Sequence, residues 1–269
     1  MGTIIAFANQ KGGVGKTTST LNIAAAMGSA GKKVAVVDLD PQGHLTRSMG
    51  LVPDELENTI ADAFAASIRM DPFDAEYVNE LMVREKGVDL LPVDISLSGI
   101  DMAIVNATSR EYILAEILSM IRNSYDYILI DCLPSLGSLA INAFTAANYI
   151  VVPVKAQYLG LNGFSLLKSS LDVVKIKTNK KLRTLGVFLT MYDARLNEAK
   201  ETLSDAARIC AENDITLFPT KISAGTDAAT ASRKGKTIFE YKPGCKIANE
   251  YSHLADQINE SINQSCRPR

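Results

Sequence analysis

The chain has 269 residues, 47% of them hydrophobic, with a net charge of −2. That is enough for one large α/β domain over 1–269 with a sizeable core. The near-neutral charge excludes a globally basic nucleic-acid binder, and 6% aromatics with no Trp excludes a base-stacking platform.

The opening "MGTIIAFANQ" has no basic region of a signal peptide. Ala6 stands where a myristoylation motif needs Ser or Thr. No apolar run approaches the ~20 residues of a membrane span. The expected location is cytoplasmic, with no membrane partner. Within this opening, "TIIAFA" (3–8) predicts a strand, and "TTSTLNIAAAMGSAGKK" predicts the helix that follows a glycine-rich turn. "KVAVVDLD" (33–40) is the next strand. The polar stretch 53–87, with Pro53 and Asp71-Pro72, reads as surface helices and loops. "VDLLPV" (88–93) follows as a strand.

"SREYILAEILSMIRN" places Ile113, Leu114, Ile117, Leu118 and Ile121 on one helical stripe, with Thr108 and Glu111 as its capping box. Then come strands "YDYILIDC" (125–132), "YIVVPV" (149–154) and "LGVFLT" (185–190). "KIKTNKKLR", with Lys175, Lys177, Lys180, Lys181 and Arg183, reads as a basic helix-to-strand turn. The last helix, "IANEYSHLADQINESIN", puts Ile247, Tyr251, Leu254, Ile258 and Ile262 on one stripe opposite Glu250, Asp256 and Glu260. Apolar strands without alternation are covered on both faces. The alternation of strands and helices predicts a doubly wound, mostly parallel sheet with helices on both faces. Cys132, Cys210, Cys245 and Cys266 have no C-x-x-C spacing and read as reduced thiols.

The turn "NQKGGVGKTT" (9–18) has the strand–helix context of a phosphate-binding P-loop. Gly15, Lys16 and Thr17 fit G-x-x-x-x-G-K-[ST], but Gln10 holds the first glycine position and a second lysine, Lys11, follows it. Gly12, Gly13 and Gly15 permit tight turns and close approach to phosphate. Loop amides and the helix N-terminus favour anionic oxygens. Lys16 would reach the β- and γ-phosphates, and the Thr17 hydroxyl would hold Mg²⁺. Asp131 ends its strand at the Walker B position. Asp38 and Asp40 are two apart, so they share a strand face if the strand continues, and one of them could orient the attacking water.

"KGGVGKTT", "DLDPQG" and "YILIDCLPSLG" closely resemble the deviant Walker ATPases of the ParA type, which segregate plasmids and chromosomes. The resemblance runs nearly end to end, through "INAFTAANYIVVPV", "GVFLTMYDAR" and "KGKTIFEY". It implies a homodimer that sandwiches ATP, with Lys11 reaching the partner's phosphates. It implies catalytic roles for Lys11, Lys16 and Asp40. ATP contacts would come from Lys11, Gly12, Gly13, Val14, Gly15, Lys16, Thr17, Thr18, Met191 and Pro219, and Mg²⁺ contacts from Thr17, Asp40 and Asp131. It also implies slow hydrolysis, stimulated by a ParB-like centromere-binding protein or adaptor. The ATP-bound dimer would bind double-stranded DNA without sequence preference and associate with the nucleoid. Arg195 and the cluster Arg233, Lys234, Lys236, Lys242 and Lys246, opposed in sequence only by Glu240, are the candidate DNA contacts. The basic turn at 175–183 is a second candidate.

Three positions depart from the family's usual pattern: Leu133 for proline, His44 for asparagine, read as an exposed loop residue, and Lys155 for an uncharged residue. The first strand starts near Thr3, leaving no room before it for the helix-turn-helix domain of some relatives. The main alternative is a MinD-like membrane-surface or protein-cargo ATPase, which needs a basic amphipathic C-terminal helix. An iron–sulfur reading lacks a partner cysteine for Cys132, and a kinase or ligase reading lacks an acceptor motif.

Overall fold

A computed structural model describes residues 1–85, 87–157 and 163–265. In chain order, β1 (Thr3–Phe7) leads to α1 (Lys16–Ser29), and β2 (Val34–Asp38) leads to α2 (His44–Ser48), α3 (Ile60–Arg69) and α4 (Ala75–Glu80). Next come β3 (Val83–Glu85), β4 (Val88–Leu91), α5 (Leu97–Ile104) and α6 (Ile113–Ile121). Then β5 (Tyr127–Asp131), α7 (Ser138–Ala146), β6 (Tyr149–Lys155) and α8 (Phe164–Lys177) follow. The chain continues through β7 (Arg183–Thr190), α9 (Asn197–Glu212) and β8 (Thr216–Leu217) to α10 (Asp227–Arg233), α11 (Ile238–Tyr241) and α12 (Lys246–Ser265).

The strands form one sheet in the order β3-β4-β2-β5-β1-β6-β7-β8, parallel except for the antiparallel edge strand β3. Successive strand residues feed two separate cores. Ile4, Ala6, Ala35, Val37, Ile128 and Ile130 pack under α3 to α9. Ile5, Phe7, Val34, Val36, Tyr127 and Leu129 pack under α1 and α10 to α12. Both faces are therefore buried, which is why these strands are apolar at every position. This is the doubly wound, mostly parallel architecture expected from the sequence.

Helix stripes fall where the periodicity puts them. Ile113, Leu114, Ile117, Leu118 and Ile121 are all buried, as are Ile247, Tyr251, Leu254, Ile258 and Ile262. The latter face packs α12 along α1. The capping box at Thr108 and Glu111 does not form. The helix starts later, at Ile113, because Asn142 of α7 accepts from Leu114 N at 3.1 Å and donates to Arg110 O at 2.8 Å. Glu111 pairs with Arg110 instead.

The stretch 53–87 is also more than surface. Thr59 and Asp62 build a capping box for α3, which buries Ile60, Ala61, Ala63 and Phe64. Val83–Glu85 adds the edge strand. His44 is the first residue of α2 rather than part of a loop, although its side chain is exposed. Among the described residues, no helix is long and apolar enough to cross a membrane.

The contact of α2 with α10 is close at the backbone level. Gly235 has φ +63°, and a Cβ there would lie 2.5 Å from Gly50 Cα. Ser48 and Ser232 hydroxyls bond across the same contact. Gly235→Ala is expected to cost about 3 kcal/mol of unfolding free energy, combining a left-handed backbone with a backbone collision. Denaturant titration measures it, and a loss below about 0.5 kcal/mol would contradict the fit.

Candidate nucleotide site

The loop after β1 is held in place by bonds to the strands around it. Asn9 anchors it to β6 by donating to Pro153 O at 2.8 Å, and its Oδ1 accepts from Lys11 N at 2.9 Å. Thr190, at the end of β7, donates to Val14 O at 2.8 Å. Gly13 and Gly15 sit at φ +69° and +86°, where side-chain-bearing residues are strained. Gly15 then caps α1. A Cβ on Gly12 would meet nothing, so that edge of the loop is open. Lys16 is only 7% exposed, and its Nζ donates to Lys11 O at 3.3 Å, folding the side chain back over the loop. Thr17 and Thr18 are half-buried in the first turn of α1.

Three strand ends meet beside this loop. Phe7 is in register with Asp131, and Asp131 is in register with Asp38. This crevice at the carboxyl ends of parallel strands is where ligands bind in open α/β sheets. Asp131 is fully buried, and neither of its carboxylate oxygens accepts a hydrogen bond of ordinary geometry. Burial pushes its carboxyl well above the usual carboxylate range. Asp38 adds to that rise, and the Thr17 hydroxyl and Lys16 offset part of it. Burial lowers Lys16, against the pull of Asp131, Cys132 and Asp40.

Such an orphaned acceptor pair beside a hydroxyl and a lysine fits a hydrated cation. Among the described residues no group of three or more His, Cys, Asp or Glu is gathered for a metal. A cation here therefore needs further oxygens, and phosphates on the loop would supply them.

Asp38 and Asp40 do not share a strand face. β2 ends at Asp38, where Leu39 N bonds across to Asp131 O. Asp38 is fully buried and accepts from Thr46 N and Thr46 Oγ1, both at 2.8 Å, and from Asp40 N at 3.2 Å. Asp40 turns out into the following loop. It accepts from Gln42 N at 3.0 Å and stands 3.9 Å from His44 Nδ1. Of the two, Asp40 stays part-exposed, and Asp38 is a structural carboxylate. Asn9, Thr46 and Thr190 are scaffold residues fixed by partners distant in the chain or in the next element. Only the Asx-turn spacing of Asn9 and Lys11 carried a signal in the sequence.

Met191 continues from Thr190 at φ +51°, 40% exposed. Pro219 joins Tyr192, Asp193, Arg195, Lys221, Lys246 and others around a cleft of about 570 Å³ next to it. The candidate DNA residues divide into two sets. Arg195 is paired with Asp193 at 2.7 Å, Lys242 with Asp227 at 3.0 Å and Lys246 with Glu250 at 3.8 Å. The cluster is thus less free than its local sequence suggests, because Asp227 and Glu250 lie outside that segment and Glu240 caps α11. Arg233, Lys234 and Lys236 are exposed, and Lys234 lies over the Tyr241 ring. Lys155 ends β6, half-buried. The basic turn before β7 lies at the opposite strand end from Thr190, ~23 Å away at 3.3 Å per residue.

Loop, lysine and crevice carboxylates define a P-loop nucleoside triphosphatase. A family model described as an AAA domain matches residues 2–184. The chain is 36% identical over 259 residues to the sporulation initiation inhibitor protein Soj of Bacillus subtilis, covering 96% of this chain and 98% of that one. It is 36% identical over 260 residues to the chromosome partitioning protein ParA of Myxococcus xanthus, covering 96% and 88%. A solved structure named cobyrinic acid a,c-diamide synthase, from Mycobacterium smegmatis with bound ADP and magnesium, superposes with a TM-score of 0.83. It is 30% identical and covers 98% of this chain and 97% of its own. The chain belongs to the AAA domain family and, within it, to the Soj/ParA ATPases. It is an ATP hydrolase of that family.

The folded state keeps a proton on Asp38 up to about pH 7, whereas the unfolded chain releases it in the ordinary carboxylate range. Stability tied to this group is present at low pH and falls as pH rises from about 4 to about 7. Asp38→Asn should therefore gain on the parent across that window, measured by denaturant unfolding. A pH-independent difference would contradict the assignment.

Proposed function

We propose that the chain is a ParA-like partition ATPase for plasmid or chromosome DNA, working in the cytoplasm on the nucleoid. ATP and Mg²⁺ are its cofactors. The supporting observation is the loop itself: Lys16 folded inward beside an unpartnered Asp131, with a second lysine, Lys11, in the same turn. Loop amides of Gly12, Gly13, Val14 and Gly15 bind phosphate oxygens, with Lys16 on the β- and γ-phosphates and Thr18 beside them. Met191 and Pro219 flank the base.

Thr17 and Asp131 would hold Mg²⁺, with Asp40 on the side of the attacking water, and the ion would supply charge neutralisation for the phosphate oxygens. Asp40 orients that water. Lys11 reaches the phosphates of a second copy, so the nucleotide becomes part of a homodimer interface.

The ATP-bound dimer binds duplex DNA through Arg195, Arg233, Lys234, Lys236, Lys242 and Lys246. The cations of Arg195, Lys242 and Lys246 are exposed and salt-screened, so their ion pairs are weak and DNA phosphates compete for them. A ParB-like protein or adaptor stimulates hydrolysis and so releases the DNA. A membrane-surface role finds less support, because the apolar stripe of α12 is spent on α1.

Three variants test the site by nucleotide binding, sedimentation and phosphate release. Lys16→Ala should lose ATP binding. Asp40→Ala should bind ATP and dimerise but hydrolyse at least ~100-fold slower. Lys11→Ala should bind ATP without forming a stable dimer. Parent-rate phosphate release by Asp40→Ala would overturn the role given to Asp40.

A further inference from the structure

We infer that the Thr46 hydroxyl is a positioning residue for Asp40. The inference rests on the assignment of the attacking water to Asp40.

Asp40 lies in the short loop that leaves β2 at Asp38 and enters α2 at His44. One carboxylate spans that loop. Asp38 Oδ1 accepts from Asp40 N at 3.2 Å, and Asp38 Oδ2 accepts from both Thr46 N and Thr46 Oγ1 at 2.8 Å. The Thr46 hydroxyl has a second partner, accepting from Val93 N at 3.2 Å just beyond β4. Thr46 is fully buried, so water cannot replace either bond. One hydroxyl thus ties the far end of the Asp40 loop both to β2 and to the exit of β4.

The rest of the loop is already fixed. Gly43 N bonds to Asp40 O at 2.8 Å. A Cβ on Gly43 would collide with Pro53 at 2.9 Å. Beyond α2, Ser48 bonds Ser232, and Gly50 abuts Gly235. The removable element is the hydroxyl. Without it Asp38 keeps only the Thr46 amide at that end, and Val93 N–H loses its acceptor.

The phosphate loop is held by bonds of its own, Asn9 to β6 and Thr190 to Val14 O, that do not run through Thr46. Loss of the hydroxyl should therefore spare ATP binding and displace the group that aims the water. A misplacement of about 1 Å at such a group reduces rate by up to ~100-fold.

The test compares Thr46→Val, Thr46→Ala and Thr46→Ser in the full chain, with rates expressed per ATP-binding site so that any unfolded fraction does not register. Thr46→Val and Thr46→Ala should lower kcat ~10- to 100-fold, with ATP affinity within ~2-fold of the parent. Thr46→Ser should return kcat to within ~3-fold, because it restores the hydroxyl. In an Asp40→Ala background, Thr46→Val should lower the residual rate no further.

Parent-rate turnover by Thr46→Val, or equal losses of kcat and ATP affinity that Thr46→Ser does not restore, would overturn the inference. If Asp40→Ala itself turns over at the parent rate, the underlying role of Asp40 fails. If Asp40→Ala is inactive while Thr46→Val is not, only the clamp fails.

Discussion

The carboxylate of Asp131 is the constraint around which the molecule is arranged. It is fully buried, accepts no hydrogen bond of ordinary geometry, and has the Thr17 hydroxyl, a desolvated lysine and a second buried carboxylate for neighbours. A buried polar group without a partner typically costs about 1–3 kcal/mol, and a charge costs more. A folded chain retains such a group where a ligand will answer it. The sheet order supplies the geometry, because β1 enters between β5 and β6 and brings the glycine loop beside the ends of β5 and β2. Everything near that point is held by backbone or buried side chains rather than by surface pairs.

The same scaffold joins the site to the basic surface. The loop carrying Asp40 runs into α2, and α2 rests on the end of α10, where Ser232 and Gly235 flank Arg233 and Lys234. From the first turn of α1, Thr18 O accepts from Asn22, and Asn22 Oδ1 accepts from Ile238 N at the start of α11. Tyr251 of α12 meets Ser19 at 3.2 Å. The elements that bear the candidate DNA contacts therefore sit directly on the elements that bear the phosphate loop. An exchange of nucleotide at one has a short, packed route to the other.

Much of this was legible in the sequence because it follows from local repetition. Strands buried on both faces read as unbroken apolar runs, and the stripes of α6 and α12 read at helical spacing. The phosphate loop is a contiguous motif between a strand and a helix. What escaped was fixed by partners distant in the chain. Asn142 sets the start of α6 from 28 residues away. Lys242 is neutralised by Asp227, 15 residues upstream, so a cluster that looked unopposed is partly paired. β3 is three residues long, too short for any periodicity. Asp38 and Asp40 looked equivalent two residues apart, yet the end of β2 sends one into the core and the other toward the site. No pattern in "VVDLDPQGHLT" announces that Thr46 closes that loop.

In the proposed cycle, nucleotide at the crevice controls a DNA-binding surface. Binding to non-specific duplex DNA with ATP, with ADP and without nucleotide, each at two salt concentrations, tests it most directly. Binding is expected only with ATP and Mg²⁺, falling steeply as salt rises because phosphate contacts release counterions. Equal binding in all three states, or none from folded protein that binds ATP, would contradict it.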